Sequence, residues 1–201
     1  MSSRPVSRQA ERSQTTRREL LHAGRELFTE KGYAGATLDD LSERTGVTKG
    51  ALYHHFRDKR ELFRALFEEL EKEMCDEIVA AAATAGADVW EQMRRGVDAF
   101  LDATQDPAKQ RICLIDGPSV LGWETWRQID EQYGYGLTKA IIEAAMDAGV
   151  IVRRPVEPLA HIFLAALSEA ALQIARSDDQ LKMKDEMRST IWALVESLRI
   201  T

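Results

Sequence analysis

A chain of 201 residues with 44% hydrophobic and 30% charged residues is long enough to bury a core, and its composition is globular rather than disordered. No run of about 18 apolar residues stands out, and the opening MSSRPVSRQAERSQTTRR lacks the apolar stretch of a secretory signal. Neither a membrane span nor export is expected, and a cytoplasmic location follows. The net charge of −6 argues against nucleic acid only if it is spread evenly. It is not: residues 1–60 hold 12 Lys/Arg against 8 Asp/Glu, and the other 141 hold 15 against 25, a head of +4 on a body of −10.

Helical periodicity runs through the chain, which predicts an all-α fold of about nine helices. Residues 1–15, with Arg4, Arg8 and Arg12 among Ser, Pro and Gln, read as a flexible basic arm. From about Thr16, residues Leu20, Leu21, Leu27 and Phe28 share a helix face that ends at Gly32. Thr37 to Asp40 forms a capping box that opens a short helix, and Gly46 makes a tight turn. Thr48 caps a second short helix. A further box from Asp58 to Glu61 opens a long helix bearing Leu62, Phe63, Leu66, Phe67, Leu70 and Met74.

Asp88 caps a fifth helix, and Pro107 starts a sixth. Asp116-Gly117-Pro118 reads as a break. A long helix is then expected from about Gly122 to Ala148, loosened at Gly134 and Gly136, followed by helices over about 158–176 and 179–199. The domains read as 16–60 for the head and 61–201 for the body.

Cys75 and Cys113 have no ligand-spaced neighbours and read as buried small hydrophobes. The histidines at 22, 54, 55 and 161 form no metal-binding pair, and no cofactor site emerges. His161, on an apolar helix, reads as a hydrogen-bonded core or interface residue. No nucleophile–base set appears, which weighs against an enzyme.

Two short helices joined by a Gly-containing turn make a helix-turn-helix. Leu38, Leu41, Val47 and Leu52 are spaced to meet over a small core, with Phe28 and Phe56 closing it. The outward face of the second helix then shows Thr48, Lys49, Gly50, Tyr53 and His54, where such helices meet the edges of base pairs in the major groove.

Residues 17 to 70, RRELLHAGRELFTEKGYAGATLDDLSERTGVTKGALYHHFRDKRELFRALFEEL, closely resemble the N-terminal domain of TetR-family regulators. The matching pieces are AGRELFTEKGY at Ala23–Tyr33, the element starting at Thr37, GVTKGALYHHF at Gly46–Phe56, and Lys59 to Phe63. The resemblance implies a double-stranded, palindromic DNA operator as partner. It gives Thr37 a phosphate contact at a helix N-terminus, Lys49 a base-edge or phosphate contact, and Gly50 a close backbone approach. It also makes Tyr53 and Lys59 phosphate donors and Thr48 and His54 candidate base readers. Tyr33 reads as core rather than contact, and His55 as either structural or DNA-facing.

In the body, Trp90, Met93 and Phe100 on the fifth helix and Trp123, Trp126 and Tyr133 on the long one form either plain core or the lining of one cavity. The resemblance favours a pocket, and the few charges on these faces point to a small, largely hydrophobic effector. It also implies a homodimer in which the last two helices meet their copies, with Phe163, Ala166, Ala170, Ile191, Leu194 and Leu198 at the interface. The function implied is a repressor released by its effector. The alternatives are a ligand-independent DNA-binding dimer or, less in keeping with the residues, an all-helical enzyme.

Overall fold

The structure, a computed structural model, describes residues 8–200. Among them are nine α-helices, one π-helix and no strand beyond an isolated bridge between Ile151 and Arg199. Arg4 of the expected arm lies outside the described residues. The first helix starts earlier than the polar composition suggested: α1 spans Arg8–Gly35, interrupted at Gly32 (φ 67°, ψ 173°). Gly32 is needed twice over, for its positive φ and because a Cβ there would lie 2.0 Å from the Arg111 guanidinium.

The caps form as their spacing dictates. Thr37 and Asp40 close a reciprocal box at the start of α2 (Leu38–Thr45), and Gly46 ends it in a left-handed turn whose N–H donates to the Ser42 carbonyl. Thr48 accepts from the Ala51 amide to begin α3 (Lys49–His55), and Asp58 accepts from the Glu61 amide to begin α4 (Lys59–Ala83). Leu20, Leu27, Phe28, Leu41, Leu52, Phe56, Leu62 and Phe63 fill one core beneath α1–α4. Tyr33 joins it, stacked on Phe28 and edge-on to Phe63, as a core residue should.

The body departs further from its pattern. After α5 (Val89–Ala103) the sixth helix is a π-helix, π1, over Lys109–Asp116. The expected break at Asp116-Gly117-Pro118 does not occur. Pro118 sits in the first turn of α6 (Gly117–Gln132), where no intrahelical N–H is needed, and the interruption falls at Gly122 (φ 73°, ψ 159°). The single long helix is really two, α6 and α7 (Gly134–Asp147), parted at Tyr133 (φ −112°, ψ −87°). Helices α8 (Val156–Arg176) and α9 (Gln180–Glu196) finish the chain.

The core under the head does not stop at residue 60. Leu66, Phe67 and Leu70 of α4, Ile112 of π1, and Leu121 and Ile129 of α6 belong to it, while Met74 and Ile78 further along α4 belong to the body core. By length and composition α8 is apolar enough to cross a membrane, although Glu157, His161, Glu169 and Arg176 interrupt it, so that no unbroken run of about 18 apolar residues occurs there. Ala160, Leu167, Ala170, Ala171 and Ile174 are its buried positions, while Ile162 on the same helix is exposed.

Candidate nucleic-acid interface and body cavity

On α3 one face is buried and the other open. Leu52 and Phe56 are sealed in the core, whereas Thr48, Lys49, Gly50, Tyr53 and His54 are exposed, with Tyr53 at 55%. A helix this short is held by its packed face, so its outer face is free to be chosen for contact. At Gly50 an added Cβ would meet nothing within 4 Å. Nothing inside the chain therefore requires glycine there, although glycine weakens a helix by about 1 kcal/mol relative to alanine. His55 is half-buried, and burial, with His54 and Arg17 nearby, pushes its pKa down.

Four of the expected phosphate or base contacts are already engaged within the chain: Thr37, Thr48 (by the Ala51 amide), Lys49 and Lys59. The Thr37 hydroxyl donates to Asp40 Oδ2 (2.8 Å) and accepts from the Asp40 amide. Lys31 and Thr37 together hold the Asp40 carboxyl down to about 2, so α2 carries an ionised carboxylate at its own N-terminus. Lys49 Nζ lies 2.7 Å from Asp39 Oδ1, an ion pair exposed on both sides and hence weakly held.

Lys59, expected to meet phosphate, is engaged within the chain. Its ammonium donates to the carbonyls of Tyr33 (2.7 Å) and Ala36 (2.9 Å) and lies 4.2 Å from the Tyr33 ring centroid. It thus satisfies the carbonyls that end α1, and two of its three donors serve the fold.

The body encloses a cavity of about 500 Å³. Met93, Phe100, Trp123 and Trp126 line it, together with Phe67, Met74 and Ile78 of α4. Two of the expected lining residues do not. Trp90 packs edge-on against Trp192 beneath the Arg199 guanidinium, and Tyr133 packs against the head core from the junction of α6 and α7. Tyr133 stands at the break that ends α6 (φ −112°, ψ −87°), which turns that ring out of register, whereas Trp90 lies in the first turn of an unbroken α5 and is taken up by Trp192 of α9.

One part of the lining is charged: Glu71, Asp130, Arg127, His161 and the exposed Glu169. Burial, with Asp130 adding to it, pushes the Glu71 carboxyl up to about 7, and burial raises Asp130 as well. Arg127 NH1 donates to Asp130 Oδ2 (3.2 Å), and its NH2 reaches the His161 ring. His161 is exposed and stacks on Tyr135 at 4.2 Å, so it is not the core residue its apolar helix suggested. These groups come from α4, α6 and α8, too far apart for spacing to unite them. Glu71 did leave a sign: it interrupts the apolar stripe Phe67, Met74, Ile78 at helical spacing.

Cavity and head are joined by two elements. Helix α4 lines the cavity and begins beside α3. The π-helix gives Cys113 and Leu114 to the cavity and Ile112 to the head core, and it ends at Asp116, which accepts from the Tyr33 amide (2.8 Å) and from Arg111 (3.1 Å). Arg60, near the start of α4, donates to the Val120 and Leu121 carbonyls just before the Gly122 interruption.

Of the expected interface residues, Ala170 and Ile191 are buried in the body core of the single chain at 3% and 4%, which leaves them almost no surface for a partner and corrects their place at an interface. Phe163 lines the cavity, and Ala166 and Leu198 are half-buried. Ile162, at 68%, Leu181, at 72%, and Leu194, at 60%, are the large apolar side chains exposed on these helices between 162 and 194.

An all-helical body carrying a helix-turn-helix head with an open outer face defines the class, a DNA-binding protein. Residues 20–66 match the family described as bacterial regulatory proteins, tetR family, and residues 90–198 match the tetracyclin repressor-like C-terminal domain. The TetC protein of transposon Tn10 from Escherichia coli is 31% identical over 134 residues, 67% of each chain. A TetR-family regulator from Pectobacterium atrosepticum has the same fold at a TM-score of 0.83 and 31% identity, over 98% of this chain and 99% of that one. A further structure, a putative regulator from Saccharomonospora viridis in complex with choline, shares the fold at a TM-score of 0.77 and 18% identity, over 94% and 100%. The chain belongs to the TetR family. It is a DNA-binding transcriptional regulator, not an enzyme, in a family whose members bind DNA operators and act as dimers.

Proposed function

We propose that this chain is a cytoplasmic repressor that holds a palindromic operator as a homodimer and leaves it when a small molecule enters the body cavity. The observation that carries the reading is that α4 lines that cavity and also starts beside α3. Two heads on a two-fold axis must stand about 34–36 Å apart, or a multiple of it, to enter the major groove on one face of DNA. An occupant that favours a different tilt of α4 separates the heads from that spacing, provided it binds the DNA-free shape more tightly. The fold neighbour crystallised with choline supports a small-molecule complex as compatible with this fold.

At the DNA, Lys49, Tyr53 and Thr37 meet phosphate or base edges, Thr48 and His54 read bases, and Gly50 admits the backbone. Lys49 exchanges Asp39 for the nucleic acid when it does so. Selection of bound sites from a random DNA pool tests this part, and a single unsymmetrical half-site would sink the dimeric reading. A promoter carrying the recovered site should be expressed less as the protein is supplied, and a rise would make it an activator. The dimer is proposed to form through the exposed apolar residues of α8 and α9. Leu194→Glu should yield monomers by light scattering and lose operator binding.

A further inference from the structure

The charged part of the cavity brings two carboxylates, Glu71 and Asp130, beside Gly134, with the exposed Glu169 also in the lining. An ideal Cβ on Gly134 would stand 3.1 Å from Asp130 Oδ1, 3.7 Å from Leu164 Cδ1 and 3.9 Å from Glu71 Oε2, so one oxygen of each carboxylate comes close to the backbone of this glycine. Asp130 meets Arg127 through its other oxygen, Oδ2. Glu71 has the weak thiol donor of Cys113 beside it, and among the described residues no Lys, Arg or His forms an ion pair with it. Two carboxylates in a partly dry wall repel each other, and a shared positive charge relieves both.

An anion is poorly served here. Arg127 is the one lysine or arginine among the described lining residues, and its NH1 and Nε are committed to Asp130 and Glu131. Nor does a metal ion fit, since no group of three or more His, Cys, Asp or Glu with metal-holding geometry occurs among the described residues. The faces of Trp123 and Trp126, 5.5 Å apart on the same lining, attract organic cations, while Met74, Met93 and Phe100 offer only apolar surface.

We infer that the cavity takes an amphipathic organic cation, whose ammonium group settles between Glu71 and Asp130 beside Gly134 and whose apolar part lies against Met74, Met93 and Phe100. This rests on the reading of the cavity as the effector site and adds the charge of the effector, where the sequence suggested only a hydrophobic one.

Octylamine, octanol and octanoate carry the same chain with three charges, and their binding is measured at pH 8 by the change in tryptophan fluorescence. Octylamine should bind at least about tenfold more tightly than octanol, and octanoate most weakly. Glu71→Gln and Asp130→Asn should each bring octylamine to within about threefold of octanol. Glu71→Gln removes a buried charge and keeps the side chain's shape, so it should fold; circular dichroism checks this. Equal affinity for octylamine and octanol in the unaltered protein, tighter octanoate, or an undiminished amine preference in the folded Glu71→Gln variant would each overturn the cationic assignment. Binding of none of the three would instead overturn the effector site itself.

Discussion

The head and the body bury side chains to opposite ends. Beneath α1–α4 the interior is closed: Leu41, Leu52, Phe56, Leu62 and Phe63 are each at most 1% exposed, and what the head offers another molecule lies on its surface. The body keeps its chemistry inside, around a cavity of about 500 Å³ flanked by a π-helix, an interrupted helix and carboxylates raised by burial. A head that must present one face in one geometry gains from a rigid core. A body that takes up a small molecule, as proposed, must leave a space, and unfilled space and buried charge both cost stability.

Truncation in the two interiors tests this contrast most strongly. Phe56→Ala should destabilise by about 3–5 kcal/mol in urea unfolding, because it opens a hole in a filled core. Trp126→Ala, half-buried at a cavity that already exists, should cost less than about 2 kcal/mol while weakening any effector. Equal losses would erase the distinction.

Glu71→Gln should do the reverse and stabilise. The folded state raises this carboxyl from its ordinary range to about 7, so the associated stability is present below about pH 4.5 and lost as pH rises to about 7. The variant should therefore gain roughly 2–3 kcal/mol at pH 8 and nothing near pH 4. A pH-independent gain would place the effect outside the carboxyl.

Two lysines separate fold from contact within the head. Lys59→Ala should lower stability by about 1–3 kcal/mol, since the Tyr33 and Ala36 carbonyls lose their donor, and leave the salt dependence of DNA binding unaltered. Lys49→Ala, the smallest change to the protein itself, should leave the unfolding midpoint in place. It should also lower the slope of log affinity against log salt by about one. Should the two effects be exchanged, Lys59 faces DNA after all.

The legibility of each region follows from the range of its interactions. Thr37 with Asp40, Asp58 with Glu61, and Gly46 after α2 act over three or four residues, so spacing alone reveals them, and the exposed set on α3 follows from Leu52 and Phe56 facing inward. Tyr133 was misplaced because a helix face was extended to the break beside Gly134, and Trp90 because its partners, Trp192 and Arg199, lie at the far end of the chain. Lys59 looked like a surface cation because its partners lie 23 and 26 residues away.

By itself the sequence determined an all-helical chain, a helix-turn-helix head with its contact face, and membership in a family, because caps, turns and amphipathic stripes are encoded between near neighbours. Only the tertiary structure decided where the cavity lies, that Glu71, Asp130 and Gly134 meet in its wall, and that Ala170 and Ile191 are spent on packing within the chain. A cavity is the space left where helices distant in sequence fail to touch. A buried carboxylate takes its charge state from whatever those helices bring beside it, and neither is written in the spacing of residues along any one of them.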